Sequence, residues 1–376
     1  MSKRPHKYEL AVVGAGIVGL GCALAAARRG LSVVVMERGP RALGASIRNF
    51  GFITVTGQDH DTIWPRARRT RDIWHELVLQ AGIVVHQRGM WLAAQRMEAV
   101  AVLEAFMATD MAQGCELLDA AAARKRSPRL DAAGHKAVLA SPHELRIEPR
   151  EAIPRIAAWL AETQGVEFLW NTAVQALEDT TLMSARGPLS ADAVAVCPGD
   201  DLSTLFPERL AAHQVSRCKL QMLRLESPGF EMPGTLMSDL SLLRYGGFAR
   251  LPEAVALRQQ IKAQQGEYLH HGIHLIVAQA LDGSLVVGDS HHYDTADQPF
   301  SDAAVDDLIL AEYRRVMGAA APAVRERWIG TYAVAPDRAA LIDAPSPAVR
   351  LVVVTSGIGA STGFAIGEEV IGDLFK

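Results

Sequence analysis

The chain has 376 residues, of which 49% are hydrophobic and 21% charged, and this length is more than one hydrophobic core usually serves. We therefore expect two structural domains. The formal net charge of −4 offers no electrostatic basis for nucleic acid or acidic lipid as a partner.

The cysteines and the first segment bear on cellular location. Four scattered cysteines form no CxxC pair, which argues against a zinc site and a disulfide scaffold. Residues 3–27 resemble a signal peptide in charge and hydropathy, but glycines interrupt the apolar part, and Arg28-Arg29-Gly30 follows in place of a cleavage site. No other segment is apolar enough to span a bilayer. We expect a cytoplasmic protein with reduced thiols and no membrane partner.

The first predicted elements form a parallel βαβ unit. Residues 8–13 and 31–36 are short apolar runs typical of buried strands, and the alanine-rich residues 14–29 predict a helix that ends at Gly30. Two strands that are joined by a helix pair in parallel.

The later elements change from helix–strand alternation to an antiparallel region and back. Strands are predicted over 217–225, 274–281 and 284–288, and Asp282-Gly283 is a strong hairpin-turn signal between the last two. The other predicted helices cover residues 63–81, 97–113, 150–163 and 302–317, and the other predicted strands cover residues 90–94, 166–170, 173–177 and 350–355.

Glycines between the first strand and the first helix indicate a dinucleotide-binding turn. Their GxGxxG spacing permits a tight turn, a close approach of the backbone to a pyrophosphate, and close packing of helix on sheet. The helix N-terminus offers N–H groups to the phosphates, and Glu37 stands where a carboxylate accepts hydrogen bonds from ribose hydroxyls. The structural alternative is that these glycines only allow a helix to pack closely on a sheet and bind no dinucleotide. The residues assigned to the cofactor here are Gly14, Gly16, Ile17, Val18, Gly19, Glu37 and Arg38.

The segment after Glu37 favours FAD over NAD. Residues 41–51 are polar and glycine-rich and do not form a third buried strand. At this point the sequence resembles the D-amino acid oxidase family of flavoproteins, which includes glycine oxidase and sarcosine oxidase. In that family a loop of small residues passes near the isoalloxazine ring of FAD. The residues that match this loop are Ser46, Arg48, Asn49 and Gly51.

Three later segments are similar to the same family. The resemblance implies a contact of Val174 with the adenine, and a strand end at Cys197 and Gly199 against the cofactor. It also implies a helix N-terminus at the flavin pyrimidine edge, where reduced flavin carries negative charge. No cysteine follows this last turn, so we expect FAD to be bound noncovalently. The residues of the turn assigned to FAD are Gly357, Gly359, Ser361, Thr362 and Gly363.

The elements and the resemblance together predict an α/β fold. A Rossmann-type FAD-binding domain is interleaved with an α+β substrate domain that is built on an antiparallel sheet. We assign residues 1–84, 146–214 and 326–376 to the FAD-binding domain, and residues 85–145 and 215–325 to the substrate domain.

The substrate side departs from the amino-acid oxidases of the family. Those enzymes hold a carboxylate with an arginine where this chain has Tyr332, and tyrosine does not replace a bidentate guanidinium. The segments IRNFG, GDSHHYD, GTYAVAPD and TSGIGASTGFAIGEE look most like a clade linked to phosphonate breakdown. That resemblance implies an anionic amine, 2-aminoethylphosphonate or its N-methyl form. Besides Arg244, the candidate substrate-binding residues are Arg48, Asn49, His60, Arg66, Tyr245, His292 and Arg338, although an arginine taken singly is more often a solvated charge.

The predicted reaction is oxidation of a small amine. A hydride leaves the carbon beside the neutral amine for flavin N5, and water hydrolyses the resulting imine to an aldehyde. His291, Tyr332 and Arg244 are the predicted catalytic positioning groups, although His291 could equally be a hydrogen-bonded loop histidine. Oxygen is the expected electron acceptor, but residues 284–288 lack the lysine that sarcosine-oxidase-like relatives use with oxygen, so a dehydrogenase remains the alternative. The alternatives are a glycine or D-amino acid oxidase and, in another class, a nucleotide-binding module without catalysis.

No metal site is predicted. His270, His271 and His274 are the histidines that could be considered, but no carboxylate or cysteine completes a recognisable ligand set with them.

Overall fold

The computed structural model describes residues 8–293 and 298–376, and its strands form two sheets. None of the helices in these two ranges is both long enough and apolar enough to cross a membrane.

The strands are β1 (Tyr8–Val13), β2 (Val33–Met36), β3 (Phe52–Ile53), β4 (Val85–Ala94), β5 (Glu116–Asp119), β6 (Ala137–Ile147), β7 (Glu167–Leu169), β8 (Val174–Glu178), β9 (Thr181–Ser184), β10 (Gly187–Val196), β11 (Ser216–Leu225), β12 (Thr235–Ser238), β13 (Ile276–Gln279), β14 (Leu285–Gly288), β15 (Val324–Val334), β16 (Ala340–Ser346) and β17 (Val349–Val354). The helices are α1 (Ile17–Arg28), α2 (Trp64–Gln80), α3 (Met97–Met107), α4 (Ala120–Arg126), α5 (Pro149–Gln164), α6 (Pro207–Ala212), α7 (Gly246–Ala249), α8 (Ala254–His270), α9 (Ala303–Met317) and α10 (Gly359–Leu374).

The first sheet has a parallel core in the order β17-β10-β1-β2-β7, with β16 antiparallel at its edge. The predicted βαβ unit is confirmed, because β1 pairs in parallel with β2 and sets Val12 opposite Val35. Both faces of β2 are buried, so its sequence is a continuous apolar run. This is why the sequence predicted the unit clearly.

The second sheet is antiparallel except for the pair β4 and β12, and its order is β15-β11-β14-β13-β12-β4-β6-β3. The predicted hairpin at Asp282-Gly283 is confirmed. Ala278 of β13 lies opposite Val286 of β14, and Gly283 adopts a positive φ of 81°. The fold is therefore a mixed α/β fold with one largely parallel and one largely antiparallel sheet.

Two segments that the predicted boundaries assign to the FAD-binding domain pair with strands of the second sheet. β15 pairs with β11 from Val334 back to Val324, so residues 326–334 join the second sheet although the sequence grouped them with the first. Phe52 of β3 likewise pairs with Arg146 of β6 in the second sheet. Short edge strands and alternating charged residues made both segments hard to assign from sequence.

Among the other elements that were not predicted, β6 and α8 are long ones. β6 contains Pro142, a residue that argues against a strand interior, and the strand accommodates it next to a register shift opposite Gly89. α8 buries Ala254, Leu257 and Ile261 but no continuous apolar stripe, so its periodicity is weak. The predicted helix over 97–113 ends earlier, at Met107.

Helices α1 and α10 pack backbone to backbone on the first sheet. A Cβ atom at Gly21 would lie 2.4 Å from the carbonyl oxygen of Gly363, and one at Gly367 would lie 2.3 Å from the carbonyl carbon of Gly21. Ile17, at the start of α1, contacts Gly359 and Gly363 of α10. Both helices therefore begin side by side at the carboxyl end of the parallel strands.

A matched pair of substitutions in α10 tests this packing. Gly367→Ala is expected to lower the free energy of unfolding by about 3 kcal/mol, because the added methyl group overlaps α1. Gly372→Ala is the control in the same helix: apart from its chain neighbours and the adjacent helix backbone, no atom of the described residues lies within 4 Å of its Cβ position, so stability should rise by about 0.5–1 kcal/mol. Thermal unfolding of the FAD-loaded proteins measures both. Equal effects of the two substitutions would contradict the packing argument.

Candidate functional site

Two adjoining cavities open where the parallel strands end, the usual ligand crevice of such sheets. The outer cavity is lined by Glu37 and Val174, among others. The inner cavity extends between the two sheets, and its lining includes Val352 of β17 and Met222 of β11. Because both cavities share lining residues, they form one elongated space. The shared residues are Gly16, Ala45, Ser46, Arg48, Cys197 and Gly199.

The predicted phosphate turn is built as its glycines require. Gly14 has a φ of 98°, and a Cβ atom there would lie 2.5 Å from the carbonyl oxygen of Cys197. A Cβ atom at Gly19 would lie 1.9 Å from the carbonyl oxygen of Gly14. The N–H of Ile17, at the start of α1, donates to Ser46 Oγ over 2.9 Å. The turn thus holds the positive end of α1 at the junction of the two cavities.

The acid after β2 lies in the outer cavity and anchors the turn. Glu37 accepts hydrogen bonds from the N–H of Ala15 to Oε2 and from the N–H of Gly39 to Oε1, each over 2.9 Å. Each carboxylate oxygen has further lone pairs, so ribose hydroxyls could still donate to it. Arg38 lines the same cavity, and its Nη1 lies 2.8 Å from Asp201 Oδ2.

The C-terminal turn closes the inner cavity beside α1. Gly357 has a φ of 75°, and a Cβ atom there would lie 3.1 Å from the ring of Tyr332. Gly359 and Ser361 also line the cavity, and Ser361 Oγ accepts a hydrogen bond from the N–H of Thr54 over 2.8 Å. Thr362 is not among the lining residues, and its hydroxyl donates back to the carbonyl of Ile358.

Two other residues that were predicted to bind the cofactor build its surroundings. Gly363 packs against Ile17 and is not part of the cavity lining. Gly51 has a φ of 68°, and a Cβ atom there would lie 1.9 Å from the carbonyl oxygen of Ile147. Asn49, which does line the inner cavity, accepts a hydrogen bond from the Gly51 N–H over 2.7 Å and so shapes the loop.

This space fits FAD. The outer cavity offers Glu37 and Val174 to an adenosine group, and the junction offers the start of α1 to a pyrophosphate. The inner cavity combines an apolar lining with the start of α10. A long cofactor with a dinucleotide end and an aromatic end suits this arrangement.

A charged and phenolic cluster lies at the far side of the inner cavity. Arg244 Nη1 donates to Tyr293 Oη over 3.1 Å, and Nη2 donates to Tyr332 Oη over 3.0 Å. Burial lowers the pKa of Arg244, because it disfavours the charged form. The oxygens of Tyr332, Tyr293 and Asp289 raise this pKa by more, so it lies above its ordinary value. Burial raises the pKa of Tyr332 well above its usual range, so this phenol stays neutral. Tyr245 lines the cavity beside Arg244.

A second cluster faces Arg244 and contains a residue that the sequence analysis missed. Asp289 Oδ1 lies 3.3 Å from His274 Nε2, and Asp289 Oδ2 lies 3.8 Å from His291 Nε2. All three residues are buried and line the inner cavity. Burial raises the pKa of Asp289 to about 7, although the charge of Arg244 opposes the shift. Burial, followed by repulsion from Arg244, holds the pKa of both histidines well below the usual range.

A signal for this cluster was present in the sequence. Asp289 and His291 follow β14 at positions i and i+2, which face the same side of an extended chain. The sequence analysis weighed only the histidines of this segment. The partner His274 precedes β13, and the pairing of β13 with β14 brings it alongside.

Four predicted substrate-binding residues lie away from the lining of both cavities. Each has a partner of its own: His60 binds Asp61 and Asp110, Arg66 binds Glu369, Arg338 binds Asp337, and His292 binds His271. Among the predicted residues, the structure does bring Arg48, Asn49, Arg244, Tyr245, His291 and Tyr332 together around the inner cavity.

Comparison with solved structures shows the same fold. Glycine oxidase from Bacillus cereus superposes with a TM-score of 0.75 at 16% identity and covers 97% of this chain and 94% of that chain. The L-α-glycerophosphate oxidase from Mycoplasma pneumoniae, solved with FAD bound, superposes with a TM-score of 0.74 at 14% identity and covers 98% of this chain and 95% of that chain.

Comparison by sequence finds one short local match and one that spans nearly the whole chain. A 46-residue segment is 41% identical to mitochondrial glycerol-3-phosphate dehydrogenase from Saccharomyces cerevisiae. This segment covers 12% of this chain and 7% of that enzyme. The family model described as FAD dependent oxidoreductase matches residues 9–372. The chain therefore belongs to the DAO family of FAD-dependent oxidoreductases, and FAD is its cofactor.

Proposed function

We propose that this oxidoreductase oxidises a small amine that carries an anionic group, and that an aminoalkylphosphonate such as 2-aminoethylphosphonate or its N-methyl form is the substrate. The observation that carries the proposal is Arg244. Its guanidinium is accessible from the inner cavity, and its hydrogen bonds among the described residues go to two phenol oxygens. No carboxylate in the described part of the chain lies within ion-pair distance of it. A cation in this position favours an anionic ligand.

The phenols around Arg244 favour a ligand with many acceptor oxygens. A guanidinium has five N–H donors in a fixed fork, and two of its nitrogens bind Tyr293 and Tyr332. Arg244 lines the cavity wall, so its remaining N–H groups could donate to a ligand there. A phosphonate has three oxygens to receive them, whereas a carboxylate has two.

The residues of this chain position the substrate. Arg244 binds the anionic group, and Tyr332, which is held against Gly357, fixes the guanidinium. Apolar side chains such as Leu220 and Met222 exclude water from the rest of the cavity. The chemistry that bound FAD supplies is two-electron oxidation of the carbon beside the amine, and water hydrolyses the resulting imine to an aldehyde.

A second candidate is oxidation of glycine or another small amino acid. Position 332 holds tyrosine in place of an arginine, and this argued against a substrate with a carboxylate. However, the Arg244 side chain comes from a different segment and donates to the oxygen of Tyr332. A guanidinium therefore stands beside this position, and it could bind a carboxylate bidentately. Glycine oxidase from Bacillus cereus shares the fold, which adds weight to this candidate.

An anaerobic titration of the purified holoenzyme tests the substrate class. Addition of 2-aminoethylphosphonate, its N-methyl form, glycine or ethylamine is followed by absorbance of the oxidised flavin, because the cofactor itself reports electron transfer. We expect one of the phosphonates to bleach the flavin at lower concentration than ethylamine, which lacks the anion. Bleaching by glycine alone would support the second candidate. Readmission of air, with assay of hydrogen peroxide, tests oxygen as the proposed acceptor.

Replacement of Arg244 tests its role in binding the anion. Arg244→Lys keeps the charge but loses the planar fork, so we expect the KM for the anionic amine to rise about 10- to 100-fold with a smaller change in kcat. The KM for ethylamine should change little. Arg209→Lys is the matched control, since Arg209 binds Asp343 outside both cavities. Equal KM values for Arg244→Lys and wild type would contradict the assignment.

A further inference from the structure

We propose that Asp289 binds the amine of the substrate through its Oδ1 atom and accepts one proton from it before oxidation. The proposal rests on the proposed function, because it requires an amine in the inner cavity. In this step one N–H bond of the ammonium breaks, one O–H bond forms on Asp289, and the nitrogen keeps the electron pair. The neutral amine is the form that can be oxidised at the adjacent carbon.

The first argument is an unsatisfied acceptor. Asp289 is 5% exposed and lines the inner cavity, and its Oδ1 has no hydrogen-bond partner among the described residues. His274 Nε2 lies 3.3 Å away but is not aligned for a hydrogen bond. A buried carboxylate oxygen without a donor is costly, so the site favours a ligand that brings N–H groups. A substrate ammonium has three.

The second argument is the state of the neighbouring histidines. His291 Nδ1 donates to the carbonyl of Gly272 over 2.9 Å, which leaves its Nε2 without a proton in the neutral ring. That Nε2 lies 3.8 Å from Asp289 Oδ2. Because the histidines are held neutral, Asp289 is the acidic group here that changes charge near neutral pH. His274 and His291 act as positioning residues.

The third argument is charge complementarity with the substrate. The titratable or charged groups that face Asp289 come from several elements. They are His291 on its own segment, His274 before β13, Arg244 and Tyr245 before α7, and Cys218 of β11. Arg244 is the one positive charge in this group. An amine with an anionic end can therefore bind Arg244 and Asp289 at the same time.

The same three side chains raise the question of a metal ion. The ligand atoms of His274, Asp289 and His291 all lie within 4.8 Å of one another. However, the positive charge of Arg244 faces the cluster and opposes the binding of a cation. His274 Nδ1 is also buried and has no partner in the described part of the chain, whereas a metal-binding histidine almost always donates its other N–H group. We therefore assign proton transfer to the cluster.

The pH dependence follows from Asp289. Above pH 7 its carboxylate is ionised and can accept the proton, and below this pH it is protonated and cannot. The rate of anaerobic flavin reduction per unit of substrate concentration, measured well below saturation so that it reports the free enzyme, should therefore rise about tenfold per pH unit up to about pH 7 and then level off.

The first experiment compares two substrates on the wild-type holoenzyme. It measures this rate across pH with 2-aminoethylphosphonate and with its 1,1-difluoro derivative, whose fluorine atoms lower the pKa values of the substrate itself. We expect the same inflection for both, because the group belongs to the protein. An inflection that moves with the substrate would overturn the proposal.

The second experiment replaces the carboxylate. Asp289→Asn should lower this rate of flavin reduction at pH 8 about 100-fold and remove the pH inflection, and Asp289→Glu should restore part of both. Asp306→Asn is the control, since Asp306 is a buried carboxylate of α9 that binds Gln221 and Arg327 outside the inner cavity. Flavin content and thermal unfolding show whether each variant is folded. If Asp289→Asn loses FAD, the two-substrate comparison decides alone.

Other outcomes separate the two proposals from each other. An Asp289→Asn protein that retains FAD and the wild-type pH profile overturns the role of Asp289. So does a holoenzyme that loses activity in EDTA and regains it with Zn²⁺ or Mn²⁺, because the cluster would then hold a metal. If no amine reduces the wild-type flavin, the proposed function itself is wrong.

Discussion

The contact between α1 and α10 is the constraint on which the cofactor site depends. Gly21 lies against Gly363 and Gly367, and no side chain separates the two backbones. The close approach sets the N-terminus of α1 at the junction of the two cavities and the N-terminus of α10 beside it in the inner cavity, where their dipoles favour negative charge. Larger residues would push the helices apart and separate the phosphate turn from the C-terminal turn. A segment from each end of the chain thus forms one binding site.

The substrate side depends on a different constraint, the position of β11 between β14 and β15. Cys218 of β11 lies opposite Tyr332 of β15, and Lys219 bridges to His292 just after β14. The ends of two strands distant in sequence are therefore brought to the same wall of the inner cavity. Lys219 itself is buried and donates to the carbonyl of Phe300, so it serves the structure of this wall.

Opposite charges meet at this wall without forming an ion pair. Arg244 binds phenol oxygens, and one oxygen of Asp289 receives no hydrogen bond from residues 8–293 or 298–376. Burial raises the pKa of Asp289 while the guanidinium lowers it, and the balance lies near neutrality. Such a balance is typical of functional sites, because a fully satisfied pair would give a substrate nothing to bind. The neutral histidines complete the wall without adding charge.

The sequence by itself determined the nucleotide-binding half of this protein. The spacing of Gly14, Gly16 and Glu37, with apolar runs on both sides, predicts strand, turn and helix locally, since each step depends on neighbouring residues. Only the tertiary structure decided the substrate half. The place of Arg244 beside Tyr332, and of His274 beside Asp289, depends on long-range strand pairing that local periodicity does not encode. Likewise, sequence could not separate Arg244 from Arg66 and Arg338, because an arginine becomes a binding group only where the fold leaves it without a carboxylate.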